Sequence, residues 1–94
     1  MILIKTKNDL INFNNLLTIY ISGDRILILQ RLDESETIYE VYKNEDIKLV
    51  QKVYTAVQNE IIYLNNENIS GCVDVDYIAE KLESNTISLT NKPF

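Results

Sequence analysis

The chain carries two periodicities. Between Ile2 and Lys43 apolar residues come in short runs separated by polar turn signals, while from Ile47 to Leu64 they recur every three or four positions. Short β-branched runs bounded by Asn, Asp, Ser and Gly read as strands, and a three–four spacing reads as one helix face. Five strands are predicted, over residues 2–6, 10–13, 16–22, 25–32 and 36–43. Asn8-Asp9, Asn14-Asn15 and Ser22-Gly23-Asp24 supply the first three turns, and the lone glycine suits the positive φ of a tight hairpin. Asp33-Glu34-Ser35 joins the last two strands. The run RILILQRL is apolar on both faces, which predicts a central position in the sheet.

Asn44 reads as the cap of a long helix, with Glu45 and Asp46 at the positive end of its dipole. Ile47, Val50, Tyr54, Val57, Ile61 and Leu64 form an apolar stripe, which Leu49, Val53, Ala56 and Tyr63 widen. A stripe this wide predicts cover for both the sheet and a second copy of the chain, hence a homodimer through this helix. The helix is expected to end near Asn65-Asn66, and residues 68–71 to form a loop. Val75, Ile78, Ala79 and Leu82 predict a shorter helix beginning after Asp74 or Asp76 and broken at Ser84-Asn85. Residues 86–90 alternate as a last edge strand, and Pro93 closes the ordered chain. Strands followed by helices make an α+β fold: an antiparallel β-meander of four to five strands, then one long and one short helix.

Composition narrows the class. A length of 94 residues suits a single domain spanning 1–94. Two Gly and one Pro argue against disorder. A net charge of −5 opposes direct binding to nucleic acid or an anionic membrane, and suits a protein partner with a basic surface. One cysteine, Cys72, with neither a secretory leader nor a long apolar segment, predicts a soluble cytoplasmic protein.

The chain contains no histidine, which removes the commonest general base, nucleophile partner and metal ligand. Its two glycines build no phosphate loop. Asp74 and Asp76, with Glu80 a turn later, can be read as a hard-cation site or as the cap and first turn of the second helix. No cofactor, metal or catalytic set is expected, and the chain reads as a non-enzyme. The densest charge is an acidic run, Asp33, Glu34, Glu36, Glu40, Glu45 and Asp46. It reads either as a partner surface, with Tyr39 and Tyr42 as contact anchors, or as a solvated loop and helix N-terminus. Arg25 and Arg31 share one strand face and Lys48 and Lys52 one helix face. With six tyrosines available for stacking, they open an alternative reading, a binder that sequesters a nucleotide signal.

Three segments carry a family resemblance: Ile4-Lys5-Thr6-Lys7-Asn8, Ile11-Asn12-Phe13-Asn14-Asn15 and Tyr42-Lys43-Asn44-Glu45-Asp46. Together with the single long helix they resemble small accessory proteins of phages and prophages of low-GC bacteria. The segment from Asn65 onward lies outside the resemblance. That resemblance implies a phage-encoded counter-defence factor of the anti-CRISPR kind, one that binds and inhibits a host protein such as a nucleic-acid-binding effector.

Overall fold

A computed structural model of the protein describes residues 1–13 and 17–90. The turn expected at Asn14-Asn15 and the closing Pro93 lie outside them. The elements, in chain order, are β1 (Ile2–Lys5), β2 (Leu10–Phe13), β3 (Leu17–Ser22), β4 (Arg25–Leu32), β5 (Ser35–Lys43), α1 (Ile47–Asn66), β6 (Gly71–Asp74) and α2 (Val75–Thr90). The α+β class, the five leading strands and the long helix followed by a shorter one stand as expected from the pattern.

The arrangement is not one meander. The strands form two three-stranded sheets, ordered β2-β1-β6 and β3-β4-β5. Strand β6 lies parallel to β1, pairing Ile2 with Gly71 and Ile4 with Val73. It occupies residues that read locally as a loop followed by a helix cap. Its place rests on Val73, which is buried beside Ile4 and Ile11 on one rung of the first sheet. Gly71 fits because a Cβ there would stand 3.0 Å from the Leu64 side chain of α1. Residues 86–90, expected as an edge strand, continue α2 instead. Nothing between Leu82 and Thr90 stops the helix strongly, since Ser and Asn are only mild breakers.

Helix α1 explains the split. Its buried residues Leu49, Val50, Val53, Val57, Ile61 and Leu64 form one stripe about 120° wide at 100° per residue. The helix touches β1 and β6 of one sheet, β3 and β4 of the other, and α2. The stripe therefore serves both sheets and a second helix of the same chain. Exposed Ile47 stands near one end of α1 and exposed Ile62 and Tyr63 near the other, about 22 Å apart at 1.5 Å per residue. One hydrophobic core joins both sheets and both helices. Burying Val50, Val53 and Val57 completely contributes roughly 1.5–3 kcal/mol each.

The caps shift by a residue or two from expectation. Asp46, not Asn44, caps α1, its Oδ1 accepting from the amides of Lys48 at 3.1 Å and Leu49 at 3.3 Å. Asn44 holds that cap, accepting from the Asp46 amide at 2.9 Å. At the other end, Asn68 takes a left-handed φ of 53°. The amides of Asn68 and Ile69 then bond back to the carbonyls of Asn65 and Leu64, closing the helix end in a Schellman motif.

Candidate interaction surface

The second sheet has a buried face and an open one. On β4, Ile26 and Ile28 are fully buried against the core. Strand alternation therefore turns Arg25, Leu27, Leu29 and Arg31 outward. The ladder register places Tyr20 and Thr18 of β3 beside Leu27 and Leu29. On the other side, β5 sets Glu40, Ile38 and Glu36 beside Leu27, Leu29 and Arg31. Ile38, midway along the edge strand β5, is 58% exposed on this face. Arg31 Nε lies 3.2 Å from Glu36 Oε1, and Arg25 Nη1 lies 3.9 Å from Glu40 Oε2. Both pairs are well exposed, so each contributes at most about 1 kcal/mol.

The acidic run does not form one surface. Period two divides β5, sending Glu36, Ile38 and Glu40 outward and Tyr39 inward. A bulge changes the count after Glu40: Ile26 opposes Tyr42 and Leu27 opposes Glu40, so Val41 is the extra residue. The bulge lets Val41 be buried while Tyr42 also packs against the core. Asp33 and Glu34 form the β4–β5 turn, with Asp33 at a φ of 54°. Glu45 and Asp46 lie beyond the far end of β5, about 30 Å away along a nine-residue strand. Asp46 is occupied in capping α1.

The two tyrosines read as contact anchors have internal partners. Tyr39 Oη donates to Gln30 Oε1 at 3.0 Å. Tyr42 Oη donates to Glu83 Oε1 of α2 at 2.7 Å, and Asn44 Nδ2 donates to Tyr42 Oη at 3.1 Å. Burial and the Glu83 carboxylate push the Tyr42 hydroxyl up to about 12. A phenol held this way is a neutral tie between β5 and α2. Of the other tyrosines, Tyr54 donates to the Ile19 carbonyl at 3.3 Å, and Tyr77 lies under the Lys81 ammonium, 4.9 Å from its ring centre.

The remaining polar candidates separate. Asp74 Oδ1 accepts from the Tyr77 amide, capping α2, while Oδ2 lies 3.6 Å from Lys5 Nζ. Among the described residues no three acids or thiols gather as a metal set. Lys48 and Lys52 line an open groove of about 610 Å³ between α1 and α2, with Gln51, Thr55, Ala56 and Leu82. Arg25 and Arg31 are on the open sheet face and do not line that groove. No helix among the described residues is long and apolar enough to cross a membrane.

Ile38, Leu27 and Leu29 are the surface residues that reading charge alone misses. For Ile38 the signal is the alternation of ETIYEVYK, which groups it with Glu36 and Glu40 and sets Tyr39 opposite, and for Leu27 and Leu29 it is their period-two spacing with Arg25 and Arg31. Glu83 carried no local signal, because its partner Tyr42 is 41 positions away. Comparison with protein-family models, with curated proteins and with solved structures found no match to this chain.

Proposed function

We propose that the protein is a non-enzymatic interaction protein whose β4–β5 hairpin binds a partner with a basic surface. The observation that carries this reading is the outward side of that hairpin. Glu36 and Glu40 flank exposed Ile38 there, and Asp33 and Glu34 extend the acid around the turn. Such a surface steers a basic partner by its field and then desolvates an apolar centre. The lack of histidine supports a role without catalysis. The resemblance to phage accessory proteins supports a host defence protein as the partner, held in an inhibited state in the host cytoplasm.

The test is capture from host lysate with the wild-type chain and with a variant carrying Glu34→Lys, Glu36→Lys and Glu40→Lys, at low and high salt. A stoichiometric partner retained by wild type and lost on charge reversal is expected. Equal capture by both proteins would overturn the reading.

A second reading rests on a different observation. Lys48 and Lys52 face the α1–α2 groove, and neither has an acidic partner within 4.0 Å among the described residues. Such a groove suits a phosphate-bearing small ligand, although no tyrosine is among its described lining residues. A nucleotide that binds there raises the melting midpoint of the wild type and not of a Lys48→Gln, Lys52→Gln variant. A flat thermal-shift panel would remove this reading.

A further inference from the structure

Strand β5 is a sheet edge, and its ladder tells which backbone groups are unused. The turn at Asp33-Glu34 closes on the rung joining Leu32 and Ser35. At a two-residue turn that first rung is a hydrogen-bonded pair, and bonded rungs then alternate along an antiparallel ladder. Gln30 with Thr37 and Ile28 with Tyr39 are therefore bonded rungs. The amides and carbonyls of Glu36, Ile38 and Glu40 point away from β4. Outside the sheet, no described segment makes a backbone hydrogen bond to them. The Val41 bulge ends the regular edge, leaving residues 36–40, a length of about 17 Å.

The same three residues carry the outward side chains acid, apolar, acid. This pattern selects its partner. An antiparallel ladder between two copies centred on Ile38 would set Glu36 against the second copy's Glu40, and like charges directly opposed are unfavourable. An added strand with basic residues at those two positions meets the reverse. Arg31 and Arg25 approach the two carboxylates from the β4 side, and each carboxylate has further lone pairs for a second donor.

We infer that residues 36–40 are a strand-addition site for an extended basic segment of a partner protein. Basic residues would lie opposite Glu36 and Glu40, and an apolar β-branched residue opposite Ile38. This rests on the proposed acidic interaction surface and adds the partner's conformation and sequence pattern. Backbone bonds would supply affinity and the alternating side chains selectivity, as in other strand-addition complexes.

The probe is a capped synthetic peptide, Thr-Lys-Thr-Val-Thr-Lys-Thr, added to the full chain at low salt. Amide exchange at Glu36, Ile38 and Glu40 is expected to slow by about tenfold or more when the peptide is bound. Binding is expected to weaken at least about tenfold when both peptide lysines become Glu, or when the protein carries Glu36→Lys and Glu40→Lys. N-methylation of the Lys, Val and Lys amides blocks the ladder and leaves the charges intact. Equal binding of the methylated peptide would overturn strand addition while the charge-led reading of the hairpin stands. Absence of binding at about 1 mM peptide, or protection confined to the α1–α2 groove, would also overturn it.

Discussion

Strands β3 and β5 flank the same central strand, yet their free edges differ in both sequence and cover. β3 reads LTIYIS, without a charge, and its Ile19 carbonyl accepts the Tyr54 hydroxyl of α1. Gln58 in turn donates to that hydroxyl at 3.0 Å, so two turns of α1 reach across the edge. β5 reads SETIYEVYK, with Glu36 and Glu40 facing out, and a bulge ends its regular edge at Val41. An edge that a helix covers can stay neutral and β-branched. An edge left open carries charge and a bulge, two known defences against pairing with a copy of itself. The contrast separates shielding from selectivity: Tyr54 shields β3, while acids on β5 refuse a like strand and admit an unlike one.

The largest effect tests the bulge. Val41 is 5% exposed, so Val41→Asp places a carboxylate in the core and should cost at least about 3 kcal/mol in urea unfolding. Val41→Ala should cost about 1–2 kcal/mol while leaving the β5 edge intact. A near-zero change for Val41→Asp would mean that the bulge does not anchor β5.

Next is the cover of β3. Tyr54→Phe removes the donor to Ile19 and should cost about 1 kcal/mol. It should also uncover a neutral edge, so self-association rising with concentration is expected in sedimentation. A variant that loses stability and stays monomeric would show that shielding comes from the helix body and not from the hydroxyl.

The tie between β5 and α2 is tested by pH. The Tyr42 hydroxyl is raised, so the folded state holds its proton more tightly than the unfolded chain, whose value is near 10. Below pH 10 both states are protonated and the tie is fully present. Stability should fall as pH rises from 10 towards 12, because only the unfolded state then releases the proton freely. Tyr42→Phe should flatten that fall in alkaline unfolding curves. A fall of the same size in the variant would assign it to another group.

The smallest effect is the most discriminating. Glu36→Lys with Glu40→Lys breaks two exposed ion pairs, typically worth a few tenths of a kcal/mol each, and should change stability by about 1 kcal/mol or less in sum. The same variant should lose the basic peptide. A large destabilisation would make these acids structural and remove them from the proposed surface.

Much of this was legible along the chain. The five leading strands, the Gly23 hairpin with its φ of 60° and the buried positions of α1 follow from local periodicity, although Ile47 and Tyr63 of the expected stripe are exposed. The acidic run was also visible, but its grouping was not. Treated as one patch, it joined Glu36 and Glu40 to Tyr39 and Tyr42, which strand alternation and the bulge set apart. The Asp46 cap lay two residues past the expected Asn44, since either side chain can satisfy a first-turn amide and only the backbone path selects one.

What the sequence determines by itself is therefore short-range. Side-chain period, turn residues and cap chemistry act over about four positions, and they place most of the elements and leave the chain without histidine chemistry. What the tertiary structure decides is which of those elements meet. Four residues, GCVD, become a strand only because Val73 finds Ile4 across a parallel pairing of Ile2 with Gly71. Tyr54 finds an edge carbonyl 35 positions away, and Tyr42 finds Glu83. No local pattern encodes these meetings, because their stability comes from burial and hydrogen bonds between segments that are distant until the core has formed. Which face of β5 meets solvent belongs to the same class, and the candidate surface with it.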